Sequence, residues 1–127
     1  DEVQSGANQS ILIVHAGLVP HTRPEDNKAV DLMHMRNIIE SPAGLQASAQ
    51  DKQGEAWAKR WTGPEFVVFG HDAKRGLQVE PHAIGLDTGC VYGGELTAFI
   101  LPARELVSVP ARECYAPIID KSKTAPP

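Results

Sequence analysis

The chain has 127 residues, 42% hydrophobic and 22% charged, with 12 basic against 16 acidic side chains and a formal charge of -4; this is ordinary globular composition for one compact unit. Its longest apolar runs, such as Ile11-Leu12-Ile13-Val14, fall far short of the roughly 18 residues that cross a bilayer, so no membrane span is expected. No dense Lys/Arg cluster is present, which argues against a nucleic-acid surface, because such binding needs a basic field.

In chain order, residues 1–10 are polar and read as a flexible segment that begins without Met and without a secretory signal. Ile11 to Val14 is a β-branched and Leu run suited to a strand buried on both faces, and it stops at His15-Ala16-Gly17. After Pro20 and Pro24, Asp26 or Asn27 is placed to cap a helix over about Lys28 to Ile39, with one face in the core. Ser41 to Gly54 has no clear period and reads as a loop or weak helix. Gly54 to Trp61 reads as a short helical segment with both tryptophans inward, ended by Gly63-Pro64.

Phe66-Val67-Val68-Phe69 is a second buried-strand run, and it too ends beside a histidine, in Gly70-His71-Asp72. The last third reads as a β-meander, with strands near Leu77 to Val79, Ala83 to Leu86, Leu96 to Leu101 and Glu105 to Val109. Between them, Gly85 to Glu95 holds four of the 11 glycines, a density that lets a ligand approach the main chain. Residues 120–127 read as a flexible tail.

Ligands of open α/β sheets gather beyond the carboxyl ends of strands, and His15 and His71 both stand there. Neutral imidazole is a common ligand of divalent metals, so the two form half of a coordination shell, with Asp87 a conceivable third ligand. His34 and His82 are assigned surface or packing roles. Lys74-Arg75 reads as a solvated pair, and Arg36 either forms a salt bridge or aims its fork at phosphate. Cys90 and Cys114 lack zinc-site spacing; a bridge between them stays open, and Cys90 as a nucleophile has no base placed for it.

Three motifs then stand in order: Val14-His15-Ala16-Gly17-Leu18-Val19-Pro20, Phe69-Gly70-His71-Asp72, and Gly85-Leu86-Asp87-Thr88-Gly89-Cys90-Val91-Tyr92-Gly93-Gly94-Glu95-Leu96-Thr97-Ala98. Over about residues 11 to 109 they resemble the C-terminal half of the calcineurin-like metallophosphoesterases. The branch indicated is the bacterial-type one that includes symmetrical diadenosine tetraphosphatase and the fungal zinc-dependent endopolyphosphatase. The resemblance implies an α/β fold, with residues 11–119 forming the C-terminal half of a four-layer α/β/β/α sandwich. It implies His15 and His71 as metal ligands, and Tyr92 and Arg36 as phosphate-binding catalytic residues.

The same resemblance implies a hydrolase with two divalent ions (Zn, Mn or Fe), whose activated hydroxide cleaves phosphoanhydride bonds of polyphosphate or a dinucleoside polyphosphate. Serine/threonine protein phosphatase activity is the alternative within the family, and a non-catalytic partner- or metal-binding module the alternative outside it. The family's GDxHG, GDxVxRG and GNHE motifs do not occur in this chain. The expected partner is therefore the N-terminal half of the same proteolytically processed precursor, carrying the remaining ligands. The compartment implied by family resemblance is vacuolar or cytoplasmic.

Overall fold

A computed structural model describes residues 9–117; the expected tail 120–127 and most of the expected N-terminal segment lie outside the described residues. The chain packs as two units, one ending at Asp87 and the other starting at Thr88, where the length alone suggests one.

In the first unit, strand β1 (Ile11–Ile13) pairs in parallel with β5 (Phe66–Phe69), and β5 pairs in parallel with β7 (Ala83–Gly85). Strand β6 (Gln78–Glu80) closes the other side antiparallel to β7, giving the order β1-β5-β7-β6. The register sets Ile13 against Val68. A second sheet of order β3-β2-β4 is antiparallel and joins β2 (Asn37–Ser41), β3 (Gly44–Ser48) and β4 (Glu55–Ala56).

The core lies beside β5. Trp57, Ala58, Val67, Phe69, Ile38, Met35, Ala16 and Leu18 are all buried within it. The Trp57 ring sits 4.8 Å from Phe69 and 6.2 Å from Trp61 by centroid, the latter edge-on, a favourable arrangement for aromatic quadrupoles. Its indole N–H donates to the carbonyl of Ala16 at 3.1 Å, so the buried polar end of the ring is satisfied. Gly17 makes this approach possible, since a Cβ there would overlap the Trp57 indole.

Several sequence expectations are corrected. The helix α1 runs only over Ala29–His34; at Met35 the backbone turns extended (φ -67, ψ 150) and Asn37 opens a strand. Ile38 and Ile39 satisfy a strand as readily as a helical period, and pairing with β3 decides for the strand. Val30 and Met33 are exposed and Leu32 is only partly buried, so no face of α1 is wholly core. Ser41 to Gly54 is mostly the β2–β3 hairpin, and the tryptophan segment is β4 followed by a 3-10 turn, Trp57–Lys59, although both tryptophans do face inward. Strand β1 is an edge strand, and Ile13 is 83% exposed rather than buried on both sides.

The meander also divides. Strands β6 and β7 belong to the mixed four-stranded sheet, whereas β8 (Glu95–Ile100) and β9 (Glu105–Pro110) form a separate hairpin in the second unit. There a line of hydroxyls, Thr88 to Thr97 at 2.6 Å and Thr97 to Ser108 at 2.7 Å, ties the glycine-rich turn to both strands.

The close fit of Gly17 to Trp57 makes two outcomes expected. Trp57→Ala should cost about 3 to 5 kcal/mol, as truncation of a buried Trp does, and Gly17→Ala should also destabilise because the indole must move. Urea unfolding followed by circular dichroism measures both; a midpoint unchanged in either variant would contradict this packing.

Candidate metal and phosphate site

Parallel pairing of β1 with β5 carries both chains out of the sheet at the same end. The Val14 N–H donates to Val68 and the Gly70 N–H to the carbonyl of His15, at 3.0 and 2.9 Å. His15 and His71 therefore leave adjacent strand ends, and their rings meet with centroids 5.1 Å apart and planes 55° apart. The sequence places both histidines where they could face one site, and their rings lie side by side.

His71 is a non-glycine residue with φ 73, a left-handed conformation that costs energy outside Gly, Asn and Asp. The loop around it is held by short backbone bonds: Asp72 N–H to Gly70, Ala73 N–H to His71, and Gly76 N–H to Asp72. The His71 ring lies 3.2 Å from the carbonyl of His34 through Nε2. A carbonyl can only accept, so Nε2 carries the hydrogen and, in the neutral ring, Nδ1 keeps the lone pair. Burial lowers the His71 pKa from 6.5, and the Arg36 charge lowers it further against the bond to His34. The ring is thus biased toward the neutral, ligating form.

Behind the histidine pair lies a network that the sequence does not announce. Asp72 is buried at 3% exposure. Its carboxylate pairs with Arg75 Nη1 at 2.9 Å and faces Arg36 Nε at 3.6 Å. Arg75 also donates to the carbonyl of Arg36 at 3.2 Å and to Asn37 Oδ1 at 2.6 Å. Asn37, fully buried, donates in turn to Gln50 and Gln53. Arg75 is therefore not a solvated partner of Lys74: Lys74 reaches Asp51 at 2.9 Å with its side chain 71% exposed, while Arg75 is turned into the loop. An Asp and Arg three apart is the one sequence signal for this pair; the Asn37 partner is 38 positions away and leaves none.

Arg36 stands on the link between α1 and β2, not on the expected helix. Its Nη1 donates to the carbonyl of Ala49 at 2.9 Å and its Nε faces Asp72. Tyr92 closes the 3-10 turn Cys90–Tyr92 of the second unit, with 41% of its surface exposed. Asp87 does not complete a three-ligand set with the histidines: among the described residues no three His, Cys, Asp or Glu gather closely enough to hold a metal. His34 contributes its backbone to His71 and its ring stands edge-on 6.3 Å away, whereas His82 keeps a buried Nδ1 with no hydrogen-bond partner.

No family model matches the chain. It is similar to the asymmetrical bis(5'-nucleosyl)-tetraphosphatase PrpE of Geobacillus sp. (strain WCH70), 33% identical over 110 residues that cover 87% of this chain and 44% of that protein. The PrpE of Oceanobacillus iheyensis is 31% identical over 108 residues, covering 85% of this chain and 42% of its own. A solved structure, "Crystal structure of a putative diadenosine tetraphosphatase", superposes with a TM-score of 0.72 at 47% identity, over 76% of this chain and 45% of that one. The two PrpE relatives are named for the asymmetrical reaction, whereas the sequence motifs resemble a branch containing the symmetrical one. The chain spans less than half the length of each of these three relatives.

Proposed function

We propose that this chain is the C-terminal half, about residues 11–119, of a calcineurin-like metallophosphoesterase that hydrolyses phosphoanhydride bonds. A dinucleoside polyphosphate is the favoured substrate, with polyphosphate next. The observation that carries the reading is the meeting of the His15 and His71 rings at 5.1 Å on adjacent parallel strand ends. The names of the relatives support the substrate class.

The donor set fits a divalent metal. Two imidazoles stand together, and His71 is biased to neutrality with its Nδ1 lone pair uncommitted to the His34 bond, as a ligand must be. His15 and His71 would hold one of two ions (Zn, Mn or Fe), which when bound supply Lewis-acid charge against phosphate oxygens and lower the pKa of water. Arg36, fixed by Asp72 at Nε and by Ala49 at Nη1, would present its remaining amine to phosphate; a planar, permanently charged fork suits that anion. Tyr92 would donate its hydroxyl to a phosphate oxygen. The further ligands would come from the N-terminal half of the same precursor, as a companion chain or as preceding sequence.

The alternative reading is a non-catalytic partner- or metal-binding module, in which His15 and His71 would hold a metal without hydrolysis.

Intact mass and metal analysis of native material separates the two: a companion that co-elutes with about two divalent ions, the number of a two-metal hydrolase, supports the enzyme, and a bare 13.7 kDa chain without metal supports the module. In the assembled enzyme His15→Ala and His71→Ala should each lower hydrolysis of diadenosine tetraphosphate by more than about 100-fold, beyond the 10 to 100-fold typical of outer-shell changes. Metal binding should also follow the sign of the His71 shift. With a folded pKa below 6.5, the ring stays neutral into mild acid, so affinity should hold down to that pH and fall only beneath it; a loss centred above pH 6.5 in a zinc titration series would contradict the assignment.

A further inference from the structure

Two arginines meet the buried carboxylate of Asp72, and they meet it unequally. Arg75 donates from Nη1 to Oδ2 at 2.9 Å. Arg36 Nε stands 3.6 Å from Oδ1, close enough for charge attraction but too far for a hydrogen bond, and Oδ1 is left buried without a hydrogen-bond partner. Arg36 commits Nη1 to the carbonyl of Ala49, and its Nη2 makes no hydrogen bond among the described residues.

A buried carboxylate that loses its counter-charge draws in whatever cation can reach it. Arg75 supplies that charge and is itself held in place, by the carbonyl of Arg36 at 3.2 Å and by Oδ1 of the fully buried Asn37 at 2.6 Å. Without it, Arg36 is the one cation beside Asp72 among the described residues. The Nε–H and Nη2 groups of a guanidinium share the edge that grips a carboxylate with two bonds, as Arg23 grips Asp26 at 2.9 and 3.4 Å. Arg36 already turns that edge toward the open oxygen of Asp72, so capture would consume the same Nη2 that is assigned to phosphate above.

We propose that Arg75 is a positioning residue that neutralises Asp72 and thereby keeps Arg36 from closing onto it, leaving Arg36 Nη2 free for a phosphate oxygen. The consequence for hydrolysis rests on the phosphate role given to Arg36 above; the competition between the two arginines for Asp72 rests on the geometry alone. Arg75 acts through charge, so its loss should be repaired by removing the charge that it balances. A purely structural contact behaves in the opposite way, because deleting a second member of the network adds damage.

The test compares Arg75→Gln, which keeps an amide donor and loses the charge, with Asp72→Asn and the double variant. In nitrogen NMR of the full chain, Arg75→Gln should move the Arg36 Nε–H signal downfield and slow its exchange with water, and adding Asp72→Asn should return it. In the assembled enzyme, Arg75→Gln should lower diadenosine tetraphosphate hydrolysis by up to roughly 100-fold, the loss a misplaced group produces, and the double variant should recover most of it. Should Arg75→Gln alone not fold, the Asp72→Asn background still decides: there Arg75→Gln should change hydrolysis by no more than about 2-fold, the error of additivity between independent changes. An Arg36 signal unmoved by Arg75→Gln, or a double variant worse than Arg75→Gln alone, would overturn the proposal. Full hydrolysis by Arg36→Ala would count against the phosphate role of Arg36 instead, and the NMR comparison would still decide whether Arg75 holds Arg36 off Asp72.

Discussion

The parallel pairing of β1 with β5 is the constraint on which the rest of the first unit depends. Its register, Ile13 against Val68, brings the two chains out of the sheet together, and the bond from Gly70 to the carbonyl of His15 continues the ladder one step beyond. Side chains alternate faces along a strand, so a slip of one residue would send one histidine to the opposite face. Packing prevents the slip: Val67 and Phe69 are buried on β5, and Trp57 holds Phe69 by ring contact and Ala16 by a hydrogen bond. The aromatic core and the histidine pair are consequences of one pairing.

Behind the pair, electrostatics completes what the sheet begins. A buried carboxylate is costly unless it is paired and hydrogen-bonded, and Asp72 offsets only part of that cost: Arg75 donates to Oδ2, while Oδ1 faces the Arg36 charge at 3.6 Å and accepts no hydrogen bond. The arrangement gains orientation more than stability. Arg75 grips the Arg36 carbonyl and Asn37, so the loop carrying His71 and the link carrying Arg36 are fastened to each other. The positive φ of His71 is a strained state that persists where surrounding contacts over-determine it, and this loop has them. The Arg36 charge held nearby helps keep the His71 ring neutral.

The parts of this arrangement legible in the sequence are those with a local signature. The runs Ile11 to Val14 and Phe66 to Phe69 read as strands because continuous apolar residues of that length have few other uses, and the histidines at their ends follow. The extent of α1 was not legible, because Met35, Ile38 and Ile39 satisfy a helical period and only pairing with β3 makes the latter two a strand. Arg75 was unreadable for another reason: its partner Asn37 is distant in the chain, and an Arg beside a Lys looks solvated until the fold turns it inward. The exposure of Ile13 could not be foreseen from an apolar run, which reports what a strand prefers and not whether anything covers it. Arg36 was singled out by its guanidinium chemistry, as a salt bridge or a phosphate fork, and the family resemblance favoured the second role, with the helix beneath it placed too long; Tyr92 was singled out through the resemblance alone.

The most direct test of the central claim, that His15 and His71 form one metal-binding pair, is imidazole nitrogen NMR of the chain during a zinc titration. Paired ligation predicts that the ring signals of His15 and His71 change together with one common midpoint, that His71 binds through Nδ1 while Nε2 keeps its hydrogen, and that His21 and His82 stay in place. If the two rings respond at different zinc concentrations, or one of them not at all, the account is contradicted.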